Sequence, residues 1–418
     1  MVAGSFFVAF LCIAIIATFL SIESLWARKA RSKIPLRVCV TGTRGKSSVT
    51  RLITSVFQEH GIRTIGKVTG TQAMLLLPNQ QEKRIFRKGT PTILEQVRVL
   101  LRSAVSENCQ AVVSEIMSIS PEMQRAESIR ILHPHITVIT NIRMDHIGIT
   151  GSSIPEIGSA FLDAVPPRSI IVMRKEDWIL SEYSLKKLQK RSIRLEWVDD
   201  EEETDSFRSS KDELQRIKEQ LGLQARLENL LLADRVARLV GIPVQSIQQG
   251  ILEAKKDPGA LEITIQNNQP ILIPVFSAND PESTWILLDQ AMRQFSLRPD
   301  SMVGVLCLRA DKPERTWQWK QTFLATPPPF KELFLIGKDA HALKRGLPKT
   351  LKVSILNGLS VKDMVRAVRV GNPKGVIGFG NHVGWGERWQ AAWNSLSEEQ
   401  PTCKQASEIG DHDPQKDR

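Results

Sequence analysis

Val40-Thr41-Gly42-Thr43-Arg44-Gly45-Lys46-Ser47-Ser48 is the stretch that decides the fold of this chain. It follows a short apolar run, Leu36 to Val40, and opens a helical pattern from Val49 to His60. A strand, a glycine-rich turn and a helix N-terminus together make an anion site, because backbone N–H groups and the helix dipole converge on phosphate oxygens. In such a loop Lys46 reaches the β- and γ-phosphates, and the Ser47 hydroxyl sits on Mg2+. A chance Gly-Lys-Ser turn would lack the flanking strand and helix. The loop departs from the usual Walker spacing: Val40 stands five residues before Gly45, where a glycine is normal, and Gly42 supplies the extra glycine.

Upstream of this unit, Val2 to Ile22 carries no charge and is mostly Phe, Val, Ala, Leu and Ile. About 20 apolar residues cross a bilayer as a helix. Nothing basic precedes the run, whereas Arg28, Lys29, Arg31, Lys33 and Arg37 follow it. A cleaved secretory signal has the opposite order. The asymmetry predicts a single-pass cell-membrane anchor with its N-terminus outside and the remaining chain cytoplasmic. We divide this region into an anchor, 1–26, and a basic juxtamembrane linker, 27–35.

At 418 residues the chain has room for two to three domains. With 42% hydrophobic and 24% charged residues it can build cores. The net charge of +11 does not point to nucleic acid. Part of the excess lies beside the membrane, where it meets anionic lipid, and no recognition helix, zinc spacing or aromatic–basic repeat is present. Cys12, Cys39, Cys109, Cys307 and Cys403 share no metal spacing and no disulfide framework, as suits a reducing compartment.

Beyond Leu36 apolar runs alternate with helical patterns, which argues for a mostly parallel α/β sheet. Strands are predicted at 36–40, 111–116, 136–141 and 169–173, and helices at 49–60, 92–105, 154–164 and 227–240. The acidic run 199–205 reads as a solvated loop. Asp257-Pro258-Gly259 reads as a boundary. It separates an ATP-binding domain, 36–258, from a smaller α/β domain, 259–397, with strands at 271–276, 302–308, 332–336 and 375–378. The polar stretch 398–418 reads as a disordered tail.

Two further strand ends carry chemistry. Val112-Val113-Ser114-Glu115 ends in a carboxylate, and Thr140-Asn141-Ile142-Arg143-Met144-Asp145-His146 follows another strand. Ligands of open α/β sheets lie beyond the carboxyl ends of the strands. Glu115 is thus suited to a Mg2+ near the triphosphate, and the Asp–His pair shares its sheet edge.

The order phosphate loop, strand-Glu, then Thr-Asn-x-x-x-Asp-His resembles the central domain of the Mur ligase superfamily, which joins amino acids through acyl phosphates. By that resemblance Glu115 and His146 hold catalytic magnesium with Ser47. Gly42, Thr43, Arg44, Gly45, Lys46, Ser47 and Ser48 bind the ATP phosphates. Asn229, followed after an apolar helix by Gly241-Ile242-Pro243, is similar to the family's adenine-side asparagine; Arg226 replaces a second asparagine often found there.

A narrower resemblance extends from the anchor to about Glu387. Lys67-Val68-Thr69-Gly70-Thr71, Val113-Ser114-Glu115-Ile116-Met117, Ser277-Ala278-Asn279-Asp280-Pro281-Glu282-Ser283-Thr284 and Arg309-Ala310-Asp311-Lys312-Pro313-Glu314-Arg315-Thr316 are similar to the ligase subunit of poly-γ-glutamate synthases, PgsB or CapB. The resemblance implies an ATP- and Mg2+-dependent amide ligase. Its substrates would be glutamate and the growing poly-γ-glutamate chain, and small membrane subunits would be its partners. The catalytic set would be Lys46, Glu115 and His146. Basic groups suit an acidic substrate, and Lys67, Arg309 and Arg315 are candidates. Asn279, Asp280 and Asp311 are candidates for the incoming amino acid, although Asp280-Pro281 equally reads as a helix start. Two readings compete: another Mur-type ligase, of peptidoglycan or folylpolyglutamate, and an ATP-binding scaffold of an export complex.

Overall fold

The computed structural model describes residues 2–70, 72–87, 91–144, 148–175, 182–199, 227–255, 269–278, 280–311 and 313–398. The predicted boundary at 257–259 lies outside them, as do the predicted tail apart from Glu398, which ends a helix, and the acidic run apart from Asp199. The chain forms two compact units, Met1–Leu261 and Glu262–Arg418.

The first unit opens with α1 (Val2–Ser32), β1 (Leu36–Thr41), α2 (Lys46–Glu59), β2 (Thr64–Val68) and a hairpin of β3 (Met74–Leu76) and β4 (Glu82–Arg84). A π-helical segment, Gln96–Leu101, runs on as α3 (Arg102–Ser106) into β5 (Ala111–Glu115). α4 (Pro121–Arg125) runs on as a second π-helical segment, Ala126–Leu132, into β6 (Ile136–Ile139). α5 (Ile154–Asp163), β7 (Ile170–Arg174), α6 (Glu182–Lys190), β8 (Arg194–Val198), α7 (Leu227–Leu239) and α8 (Val244–Leu252) complete it.

These strands form one sheet in the order β4-β3-β2-β5-β1-β6-β7-β8. Pairing is parallel except in the β2–β3–β4 meander. Val38, Cys39 and Val40 at its centre are all buried, as expected where helices cover both faces of a parallel sheet. On one face α2, α7 and α8 pack through Ile53, Val56, Leu230 and Ile247. The α2–α8 approach is so close that a Cβ on Gly250 would lie 2.5 Å from the Val56 Cα. On the other face Leu100, Leu101 and Leu132 of the π-helical segments and their ends meet Ala27 and Ala30 from the base of α1 and Ile34 just beyond it. The chain passes from β1 to β2 over the position later filled by β5, so the winding reverses beside β1. Ligand crevices form at such a switch point.

The N-terminal helix departs from the expected division into anchor and linker. α1 is continuous to Ser32, so most of the basic stretch 27–35 is helix. Phe10, Ile13, Ile16 and Leu20 are exposed, and this helix is long and apolar enough to cross a membrane. From Phe19 onward the domain grips it. Arg98 lies over the Phe19 ring and pairs with Glu23 at 2.7 Å, and Arg102 lies over Trp26. Arg31 donates to the Arg130 and Ile131 carbonyls. Val2 to Ile22 alone gives roughly 30 Å of helix, enough for a hydrocarbon core.

The second unit is a five-stranded parallel sheet, β12-β11-β10-β13-β9, made of β9 (Ile271–Pro274), β10 (Met302–Cys307), β11 (Glu332–Ile336), β12 (Lys352–Ile355) and β13 (Gly375–Gly380). Trp319, Trp389 and Trp393 are buried in it as core, while Trp317 is exposed. β2, β3, β4, β8 and β12 escaped the sequence reading because they are short, and all but β3 carry lysine, glutamate or arginine in place of an unbroken apolar run. The helix expected over 92–105 is instead a π-helical turn and a short α-helix.

The docking of α1 has a measurable consequence. Ile34→Ala, which empties a buried site, is expected to lower stability by about 2–4 kcal/mol. Ile13→Ala, on the exposed apolar part, is expected to leave it unchanged. Urea midpoints of the two variants in detergent check this.

Candidate active site

The phosphate loop leaves β1 at Thr41 and enters α2 at Lys46. Two glycines make the turn. Gly42 has φ +120°, and a Cβ there would sit 2.3 Å from Thr140 Oγ1. Gly45 caps α2 at φ +83°, and a Cβ there would sit 2.6 Å from Asn229 Oδ1. Side chains rarely adopt such conformations, so the loop can close against β6 and α7 only with glycine at both points.

Asn141 fastens the loop from the end of β6. Its Oδ1 accepts from the Arg44 N–H at 3.0 Å, and its Nδ2 donates to the Arg44 carbonyl at 3.0 Å. The Thr43 N–H donates to the Asn141 carbonyl, and Thr43 Oγ1 both donates to and accepts from the Arg143 backbone. Lys46 curls back over the loop, its Nζ donating to the Gly42 and Thr43 carbonyls at 2.8 and 3.1 Å.

Glu115, at the end of β5, is buried and meets the same loop. Ser47 Oγ donates to its Oε2 at 2.8 Å, as does the Thr69 N–H at 2.7 Å. A cavity of about 200 Å3 opens here, lined by Thr43, Lys46, Glu115, Met117, Ile157 and Phe161 among others. Half-buried Ser48 follows in the first turn of α2. Asn229 lies against Gly45, and its buried Oδ1 has no hydrogen-bond partner among the described residues.

The structure thus brings Gly42 to Ser48, Glu115 and Asn229 together. Asp145 and His146 lie outside the described residues, among which no cluster of three His, Cys, Asp or Glu could hold a metal. The glycine cradle, the ammonium and the converging N–H groups fit a polyphosphate. The Ser47 hydroxyl and Glu115 carboxylate, both hard oxygen donors, fit Mg2+, which takes one or two carboxylates and keeps its remaining positions for water and phosphate.

Lys67, expected to face an acidic substrate, has an internal partner in the structure. Lys67 is fully buried on β2, and its Nζ pairs with Glu95 Oε1 at 2.9 Å. Arg87 binds the same carboxylate through Nε and Nη2, each at 2.8 Å. Burial alone would raise the Glu95 pKa, but the Arg87 hydrogen bonds and the Lys67 charge outweigh it and hold the group at about 2, below the ordinary 4.5. Sequence reasoning missed this triad because nothing local marks Glu95 as the partner of a lysine two strands earlier.

In the second unit Asp280 caps the helix Pro281–Gln294, its Oδ1 accepting from the Ser283 N–H at 2.8 Å. The helix-start alternative therefore describes its geometry. Arg309 forms two hydrogen bonds with Asp311. Arg315 Nη1 donates to Asn381 Oδ1 at 2.7 Å, and Asn381 Nδ2 donates to the Cys307 carbonyl. These groups gather at the carboxyl ends of β9, β10 and β13. Asn279 lies outside the described residues.

Comparison with known proteins agrees with this geometry. A crystal structure of MurF from Acinetobacter baumannii superposes with a TM-score of 0.61 at 13% identity, covering 90% of this chain and 79% of that one. A bifunctional folylpolyglutamate synthase/dihydrofolate synthase with Mn, AMPPNP and L-glutamate bound gives 0.59 at 13% identity, covering 88% and 93%. Residues 40–227 match the Mur ligase middle domain. The fold is that of a Mur ligase. Residues 261–396 match the poly-gamma-glutamate synthase CapB C-terminal domain. PGA synthase CapB of Bacillus subtilis (strain 168) is 31% identical over 79% of this chain and 81% of its own length. Capsule biosynthesis protein CapB of Bacillus anthracis is 28% identical over 95% and 85%. The chain belongs to the CapB family of poly-γ-glutamate synthases.

The Lys67–Glu95–Arg87 triad makes stability depend on acid. Because Glu95 titrates at about 2 in the folded protein and near 4.5 otherwise, its contribution is complete above pH 4.5 and is lost as pH falls from 4.5 to 2. Glu95→Gln is expected to flatten that acid limb. It should also cost about 3 kcal/mol at pH 7 by leaving the Lys67 charge buried without its partner. Denaturant titrations across this pH range check both effects.

Proposed function

We propose that this chain is an ATP-dependent amide ligase that extends poly-γ-glutamate by γ-glutamyl bonds at a membrane surface. The observation that carries the reading is the meeting of Ser47 and Glu115 at 2.8 Å, beside Lys46 and on the wall of the cavity.

In this reading an oxygen of the γ-carboxylate on the growing chain attacks the γ-phosphorus of ATP. The bond from that phosphorus to the bridging oxygen breaks, ADP leaves, and an acyl phosphate forms. The amine of an incoming glutamate then attacks the acyl carbon. Phosphate departs with the C–O bonding pair, the nitrogen loses a proton, and an isopeptide amide remains.

Phosphoryl transfer is mainly positioning and charge neutralisation. Lys46 supplies a cation where negative charge moves toward the leaving oxygen, and the N–H groups from Gly42 to Ser48 hold the phosphates. Magnesium, when bound, neutralises phosphate charge and polarises the γ-phosphoryl group. Ser47 and Glu115, with His146, would hold it. Asn229 serves the nucleotide side. Met117, Ile157 and Phe161 keep the acyl phosphate from bulk water, which would hydrolyse it. Arg309, Asp311 and Arg315 bind the acidic substrate and the incoming amino acid.

Family membership supports this over a peptidoglycan or folate ligase, and the intact Lys46, Ser47 and Glu115 set argues against a bare scaffold. The N-terminal helix anchors the chain with its N-terminus outside, and small membrane subunits assemble beside it.

Membranes carrying the full chain, given ATP, Mg2+ and labelled glutamate, should release ADP and phosphate in response to glutamate and yield γ-linked product. Lys46→Ala should lower kcat by about 100-fold or more, and Glu115→Gln should lower activity and raise the Mg2+ needed for half-maximal rate. Glutamate-independent ATP hydrolysis, or equal rates in Lys46→Ala, would rule the reading out.

A further inference from the structure

Glu127 is fully buried on the second π-helical segment, and no step above uses it. Its Oε2 accepts from the Ser118 N–H at 3.0 Å and from Ser118 Oγ at 2.5 Å. Its Oε1 accepts from the Met117 N–H at 3.1 Å and from Gln96 Nε2 at 2.6 Å. Gln96, equally buried on the first π-helical segment, also donates to the Glu115 carbonyl at 3.3 Å and accepts from Ser114 Oγ at 3.1 Å.

The network therefore holds the chain from Ser114 to Ser118. That stretch contains Glu115 and forms one wall of the cavity. Beyond β5 the Met117 and Ser118 amides have left the sheet ladder, and a buried N–H without an acceptor is costly. Glu127 supplies the acceptors that the sheet does not. A carboxylate itself tolerates burial only when donors surround it, and here four do. Among the described residues no cation pairs with it, so the group is matched to the backbone of this wall. Both residues sit on π-helical turns, which are frequent at functional sites.

We propose that Glu127, with Gln96, is a positioning residue that fixes the Glu115–Ser118 wall, and thereby the Glu115 carboxylate, against the phosphate loop. This rests on the reading of the cavity as the reaction site. Glu127→Gln keeps the size and shape but has one acceptor oxygen in place of two. Whichever way the amide turns, an NH2 group faces either the Met117 or the Ser118 N–H. The wall loses one anchor, and the core keeps its volume. Ser118→Ala removes only the hydroxyl donor and leaves both amides satisfied.

The test compares the full-length wild type, Glu127→Gln and Ser118→Ala in detergent by amide hydrogen exchange, thermal unfolding and glutamate-dependent ADP release. In Glu127→Gln, exchange should rise about tenfold at Met117 or Ser118, whichever amide faces the NH2 group, while β5 stays protected. kcat should fall by about 10- to 100-fold with KM for ATP within about twofold, as for a misplaced but intact site. Ser118→Ala should show a loss of about threefold or less. Unchanged exchange at the two amides would overturn the proposal. So would a uniform rise in exchange with a parallel fall in Tm and an unaltered kcat, which marks a residue that only supports the fold. Absence of glutamate-dependent turnover in the wild type would instead overturn the ligase reading, and exchange at Met117 and Ser118 would still decide whether Glu127 holds this wall.

Discussion

β1 lies between β5 and β6 in parallel register, with Val40 beside Glu115 and Thr41 beside Ile139. Everything chemical in the first unit depends on that pairing. Parallel strands end on one edge together, so the phosphate loop, the Glu115 carboxylate and the Asn141 amide emerge within hydrogen-bonding reach. Backbone bonds then extend the ladder into the loop itself, from the Thr140 N–H to the Thr41 carbonyl and from the Thr43 N–H to the Asn141 carbonyl. A slip of β5 by one residue would turn Glu115 to the other face of the sheet and away from Ser47.

The faces of this sheet do different work. α2, α7 and α8 form one layer, which carries Asn229 to the loop. The other layer also holds buried polar groups among its aliphatic residues. Gln96 and Glu127 lie there beside Leu100, Leu101 and Leu132, on the same two π-helical segments that receive the base of α1. Arg98 reaches out to Glu23, while Gln96, two residues away, reaches in to Ser114 and the Glu115 carbonyl. The elements that seat the N-terminal helix are therefore the elements that seat the strand bearing Glu115. A rigid seat suits a site whose chemistry depends on placement more than on bond-making by the protein.

Much of the site was legible in the residues. The phosphate loop announces itself because its chemistry needs glycine, lysine and serine at fixed spacing, and β1, β5 and β6 announce themselves as apolar runs ending in polar residues. Lys67 and Asp280 were harder. A buried lysine and an exposed one look alike in a sequence, and only the packing of the first π-helical segment against β2 reveals that Lys67 meets Glu95. Asp280 before a proline is a cap in the structure, as its alternative reading allowed. Glu127 and Gln96 were invisible, since each sits in a helical stretch where a polar residue normally faces water.

The sequence by itself determined the nucleotide-loop chemistry, the α/β class, the family resemblance and the presence of a long apolar helix at the N-terminus. These follow from local composition and from spacings short enough to be read along the chain. Tertiary structure alone decided that the base of α1 belongs to the core, that Lys67 is an internal cation, and that Glu127 serves the backbone of the Glu115 wall. Each of these rests on contacts between residues distant in sequence, where burial and hydrogen-bond demand are set by the sheet register and not by neighbours along the chain.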